Sequence, residues 1–331
     1  MNVAFLTETN YLGKWPENFP NARTEIAWQI ALNADHFNIH QYPVVKNYDV
    51  VFVILPKGLT KLNSVGLELQ LNIPDKDMAI YTSPIIEVLG TNNEKVCYIQ
   101  EGPAWFFNDY TLDNQFHFYN QLCQCDVIFA HNRSDIPFYE GLFPGLKVSN
   151  IPTLMIDTLI KDIVPTKENK VMIGGNFCRW YGGFQSYVIS DIFEGCEKWT
   201  QNSHCQQKGE DQIPDLNHLP RLLWNEWMKT LSTFKYGIHL MPTVAAGTFS
   251  LNCAYFGIPC IGNQLVDTQI EMFPDLSVCV DDLKEARKKA EYICTNTLTY
   301  DTISKDSMEI CRNSYHIDQK KWLAHIEKAL I

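Results

Sequence analysis

The run His239-Leu240-Met241-Pro242-Thr243-Val244-Ala245-Ala246-Gly247-Thr248-Phe249-Ser250-Leu251-Asn252-Cys253-Ala254-Tyr255-Phe256-Gly257-Ile258-Pro259-Cys260-Ile261-Gly262 limits the fold more than any other stretch of the chain. Its pattern predicts a buried strand, a turn of small residues around Gly247, a short helix beginning near Thr248, a glycine stop and a second buried strand. That order belongs to a parallel α/β sheet. The turn also has the makings of an anion cradle. Small residues let a diphosphate approach the backbone, and the free N–H groups and positive helix end at Thr248, Phe249 and Ser250 favour negative charge. An ordinary strand–helix–strand unit without a ligand gives the same pattern, so the surrounding sequence has to decide.

The rest of the chain continues the alternation. Strand signals fall at 2–7, 36–42, 49–55, 95–100 and 126–131, with helical stretches at 23–33 and 113–121 between them. A more polar segment with a proline, 158–170, reads as a linker between a domain of residues 1–157 and one of residues 171–331. The second domain starts with a strand at 171–173. It continues with helices at 183–199 and 221–233, strands at 236–241 and 259–262, and terminal helices that include a charged one at 281–294. In the last helix, 319–331, Trp322, Ile326 and Leu330 form one apolar stripe.

Composition excludes several classes. A hydrophobic fraction of 46% with 12% aromatics argues against disorder, and no apolar run approaches the ~18 residues of a membrane helix. The N-terminus reads as a first strand and not as a signal peptide. The 11 cysteines are scattered, without metal-type C-x-x-C pairs, and imply a reducing, cytoplasmic setting. Residues 1–157 carry 9 Lys+Arg against 17 Asp+Glu, a net of −8 out of −11 for the whole chain. That balance disfavours nucleic acid or an anionic bilayer as the partner of the first domain.

The segment from Val244 to Ile261 resembles the donor-domain signature E-G-F-G-L-x-x-x-E-A-x-A-x-G-x-P-V-I of retaining glycosyltransferases with two Rossmann-like domains, the GT-B group. The run Leu219 to Trp224 and the stretch Leu231 to His239 resemble that group's preceding helix and strand, so the likeness covers about residues 216–263. Both signature glutamates are replaced, by Val244 and Asn252, which implies altered ribose recognition and a non-standard mechanism. The resemblance implies two doubly wound α/β domains facing a central cleft, with the acceptor bound by the first and the donor by the second. The last helix would cross back to the first domain. It also implies metal-independent transfer of a sugar from a nucleotide-sugar such as a UDP- or GDP-sugar, with no further cofactor. The acceptor would be a hydroxyl of a saccharide, small molecule or protein.

The same resemblance distributes roles over residues. The loop Gly174-Gly175-Asn176-Phe177-Cys178-Arg179 would face the donor phosphates, Arg179 offering a planar fork of donors. Gly247, Thr248, Phe249 and Ser250 would cradle the diphosphate, Asn252 would meet the ribose, and His218 in the loop 213–219 would lie by the base. Each has a plainer alternative: Arg179 as an exposed side chain, Asn252 as a solvent-facing helix residue, and 213–219 as a connection with Asn217 as a helix cap.

Glu101 ends the strand 95–100, before the Gly102-Pro103 turn, where open parallel sheets bind ligands. A carboxylate there can serve as the general base of an inverting transfer, with Asp109 and His131 as rivals. This stretch and the Gly174-Gly175-Asn176-Phe177 loop are also similar to phage DNA β-glucosyltransferases, so a DNA-base glucosyltransferase is one alternative. A catalytically degenerate nucleotide- or sugar-binding protein is the other. The long first loop, 9–25, carries Trp15 and Phe19, either as a sugar-stacking platform or as pins that hold the loop to the body.

Overall fold

The protein is described by a computed structural model covering residues 1–7, 9, 11–38, 47–54, 95–100, 102–108, 111–175, 177, 181–201 and 207–331. Two compact units divide the chain. The first holds 1–17, 25–151 and 317–331, the second 18–24 and 152–316.

The first unit is built on strands β1 (Val3–Thr7), β2 (Asp35–Asn38), β3 (Val50–Val53), β4 (Lys95–Gln100), β5 (Val127–Ala130) and β6 (Lys147–Asn150). Between them run helices α1 (Glu25–Ala31), α2 (Ala104–Phe107), α3 (Leu112–Leu122) and α4 (Ile136–Leu142). The sheet is parallel throughout, in the order β2-β1-β3-β4-β5-β6. β1, β3 and β5 are buried at every position, as expected for strands covered on both faces. Phe5 stacks on Phe52 at 4.6 Å and Phe52 on Phe129 at 5.6 Å, making an aromatic row across the middle of the sheet.

The long first loop is pinned down. Gly13 exchanges two backbone hydrogen bonds with His36 (3.0 and 2.9 Å) on β2, the edge strand, and Trp15 is buried with its ring stacked on Tyr11 at 3.7 Å. His36 Nδ1 donates to the Tyr11 carbonyl (2.7 Å), which leaves Nε2 to accept from the Thr7 hydroxyl (2.8 Å). Burial lowers the His36 pKa, which favours the neutral ring. Trp15 is therefore a pin of the loop and not an open platform.

The second unit carries β7 (Glu168–Ile173), α5 (Gly183–Ser190), β8 (Glu197–Gln201), β9 (Leu216–Leu219), α6 (Trp224–Leu231), β10 (Phe234–His239), α7 (Thr248–Tyr255), β11 (Cys260–Asn263), α8 (Asp267–Met272), β12 (Ser277–Val278), α9 (Leu283–Thr295) and α10 (Thr297–Ser314). Its parallel sheet runs β12-β11-β10-β7-β8-β9. Strand order reverses between β7 and β10, which pair through Gly237↔Met172 and Ile238↔Ile173. Residues 18–24 of the first loop belong to this unit, where the Pro20 carbonyl accepts from Asn225 N–H on α6 (3.1 Å).

The chain ends in α11 (Gln319–Leu330), which is part of the first unit. Trp322 meets Trp28 edge-on at 5.1 Å, and His325 Nε2 donates to the Asn150 carbonyl (2.7 Å). The buried stripe is Trp322, Ile326 and Ala329.

Two expectations need correction. The helix read over 183–199 stops at Ser190; a turn through Gly195 (φ +75°) leads into strand β8, whose burial alternates along Glu197–Gln201. The segment 213–219 is largely strand β9 and not a loop, and Asn217 donates to the Lys198 carbonyl (3.2 Å) without capping a helix. Within the stretch 158–170, Ile160 is fully buried in the second core and β7 begins at Glu168.

Candidate functional site

A doubly wound sheet opens a crevice beyond the carboxyl ends of its strands where the order reverses, because the flanking connections run to opposite faces. In the second unit that place lies between the exits of β7 and β10. The β7 exit is Gly174-Gly175, and Gly174 N–H donates to the Ile238 carbonyl (2.7 Å). A Cβ on Gly174 would come within 2.6 Å of the Phe249 ring, so this close approach of turn and helix requires glycine. The Gly175 carbonyl accepts from Thr200 Oγ1 (2.8 Å). The two turns singled out in the sequence thus meet at one end of one sheet.

Gly247 sets the start of α7. Its φ is +77°, and a Cβ there would collide with Thr268 Oγ1 and come within 2.9 Å of Val266 Cγ1. The Gly247 carbonyl accepts from Leu251 N–H (3.2 Å), Ser250 Oγ (3.1 Å) and Thr268 Oγ1 (2.8 Å). The two hydroxyl oxygens lie 2.7 Å apart with one proton each to give, so Ser250 holds the turn with its side chain and has only its N–H to offer outward. Among the described residues no side chain caps this helix. The first turn therefore keeps free N–H groups at Thr248, Phe249 and Ser250, and with them the positive end of the dipole.

The other end of α7 is held by a cation. Lys167 Nζ donates to the Phe256 (2.7 Å) and Gly257 (2.6 Å) carbonyls, complementing the negative end of the helix dipole. Burial pulls its pKa down to about 8, which still leaves it mostly charged at pH 7.

Asn252 is engaged inside the fold. It is buried, and in the amide orientation its neighbours require it donates to the Thr248 carbonyl (3.3 Å) and accepts from the Trp227 indole N–H (3.1 Å). The side chain thus ties α7 to α6 and is shielded from solvent. His218 lies on β9, bonded through Nε2 to the buried Glu210 carboxylate at 3.1 Å. Glu210 also accepts from Gln207 N–H (3.0 Å).

Glu101, Asn176, Arg179 and the rival base Asp109 lie outside the described residues. His131 follows β5 and is buried, its carbonyl accepting from Asn150 Nδ2 (2.8 Å). Among the described residues no cluster of three or more His, Cys, Asp or Glu side chains could hold a metal ion. Among the same residues no helix is long and apolar enough to cross a membrane.

Sequence reasoning missed His239, Lys167 and Thr268. Of these only His239 left a signal, a polar residue closing the strand after Tyr236-Gly237-Ile238. Its Nε2 is buried without a partner among the described residues, and burial lowers its pKa to about 4.

Two Rossmann-like domains with parallel sheets define the GT-B class of architecture, and this chain has it. Solved structures with the same fold include trehalose-6-phosphate synthase OtsA (TM-score 0.64, 10% identity, 100% of this chain and 99% of that one). Another is Anabaena HepE in complex with UDP and glucose (0.60, 12%, 99% and 100%). A third is TarM (0.59, 8%), where the match covers 85% of this chain but 54% of that one, so the chain spans about half of TarM. No family model matches the sequence, and no curated protein matches it.

Proposed function

We propose that the chain is a glycosyltransferase that takes its sugar from a nucleotide-activated donor bound by the second domain. The observation that carries the reading is the uncapped N-terminus of α7 at the strand-order reversal, facing the Gly174-Gly175 turn. Uncapped backbone donors at such a point suit a diphosphate. The leaving diphosphate would be stabilised by those N–H groups and by Arg179, four residues after Gly175 in the chain, without a metal. HepE, with the same fold, is recorded with UDP and glucose, which supports a UDP-sugar as the first donor to try. The acceptor would be a saccharide, small molecule or protein hydroxyl. An acidic first domain argues against duplex DNA.

A thermal-shift panel of UDP, GDP, ADP and dTDP with their sugars tests the reading. A ligand present at ~100 times its dissociation constant stabilises by about 2.7 kcal/mol. One nucleotide series should raise the melting temperature, and a flat response across the panel at millimolar ligand would refute the proposal.

For the chemistry we assign Glu101 as the general base of an inverting transfer, since it follows β4 directly and neither glutamate of the retaining signature is present. Glu101→Gln should keep donor affinity while transfer falls by about 10²–10⁴-fold. Near-normal turnover, or a product with the donor's anomeric configuration retained, would remove Glu101 from that role. A second reading, a nucleotide- or sugar-binding protein without transfer, is favoured by one observation: Asn252, where the signature has a glutamate, turns inward. Donor binding with no turnover on any acceptor would select it.

A further inference from the structure

His239 is the last residue of β10, at the reversal point itself, and its Cα pairs with Gly262 of β11. Its Nε2 is buried and has no hydrogen-bond partner among the described residues. The ring is held edge-on by Phe249, with centroids 5.1 Å apart and planes at 65°. Phe249 is the second residue of α7, and its ring is also what a side chain on Gly174 would strike. A Cβ on Gly175 would lie 3.4 Å from Nε2, so the orphan nitrogen sits directly under the glycine turn. Folded proteins seldom leave a buried polar nitrogen unbonded, and a ligand group or water normally completes it.

We propose that His239 is a positioning residue for the nucleotide donor, its Nε2–H donating to a phosphoryl oxygen held against the N-terminus of α7. The assignment rests on the nucleotide-sugar reading. Burial keeps the imidazole neutral at pH 7, so one ring nitrogen is a donor and the other an acceptor. A neutral donor supplies direction without adding a charge that would slow release of the diphosphate product. Glycine at 174 and 175 leaves the turn free to shift and admit the oxygen, which a bulkier residue would prevent. The N–H groups of α7 attract the anion; His239 would fix which oxygen faces the sheet.

Calorimetric titration of UDP and GDP into the wild-type protein, His239→Phe and His239→Gln tests this, together with long-range 1H–15N spectra of the imidazoles. The His239 signals are identified by their loss in His239→Gln. A hydrogen bond to a charged oxygen corresponds to about tenfold or more in affinity. His239→Phe should lose that factor, His239→Gln should recover most of it, and the His239 nitrogens of the wild-type protein should shift on adding the nucleotide. Binding that is equally tight in His239→Phe overturns the assignment. So does weaker binding with unmoved His239 nitrogens, which would mark a purely structural ring. Should His239→Phe fail to fold, the wild-type spectrum decides alone. If the wild-type protein binds neither nucleotide nor ADP or dTDP, the donor reading itself falls and takes this assignment with it, and the wild-type titration separates the two failures.

Discussion

Asn252 and Ser250 stand in the helix that begins the candidate site, yet both spend their side chains inside the fold. Ser250 secures the Gly247 carbonyl together with Thr268, and Asn252 satisfies the Trp227 indole. Backbone N–H groups are left as the anion-facing chemistry of α7. Asn252→Ala would leave the Trp227 N–H buried and unpaired, at a cost of about 1–3 kcal/mol. Stability measured by denaturant titration should fall by that amount, while nucleotide affinity measured by calorimetry stays within about twofold, a difference near the ~0.4 kcal/mol level. A large loss of affinity in a variant that remains folded would return Asn252 to the ribose. None of this was visible in the sequence. The helical spacing places Asn252 one turn into α7, but only the position of Trp227 on the neighbouring helix decides whether its amide faces a ligand or an indole.

At the level of elements, α7 is a short helix with an open positive end and a closed negative one. Lys167, the residue before β7, reaches it and bonds the Phe256 and Gly257 carbonyls. Lys167→Met keeps the aliphatic stem but removes two charge-assisted hydrogen bonds, so the second unit should lose about 2 kcal/mol. For a unit of this size that corresponds to roughly 4–8 °C in melting temperature. An unchanged melting temperature would mean that the Lys167 contacts contribute nothing. Elements with strong patterns were legible in the chain: the buried strands β1, β3, β5 and β10, the glycine stop after α7, and the apolar stripe of α11. β8 and β9 were not. β8 follows α5 after a turn of only 191–196, and its Lys198 and Trp199 look like a continued amphipathic helix until Gly195 adopts positive φ. β9 is four residues long, with Asn217 and His218 at its centre, which reads as loop chemistry.

For the whole molecule, the order of strands in the second sheet does what no single motif could. It brings the exits of β7 and β10, more than sixty residues apart in the chain, side by side, and so turns two glycine-containing turns into one candidate site. The sequence suggested the pairing through its likeness to a donor domain. It could not reveal the orphan Nε2 of His239 between them, because burial of that atom depends on the Gly174-Gly175 turn lying over it and on Phe249 against the ring. The most direct test of the central claim is nucleotide release from sugar nucleotides, measured by mass spectrometry on the wild-type protein and on Gly247→Val. A Cβ at Gly247 strains a φ of +77° and strikes Thr268, with backbone strain alone costing about 1–3 kcal/mol, so this variant disrupts the start of α7. The account predicts that the wild-type protein releases the nucleoside diphosphate from one class of sugar nucleotide and that Gly247→Val, confirmed to be folded, does not. Release at equal rates from both proteins, or from neither with every sugar nucleotide tried, would contradict it.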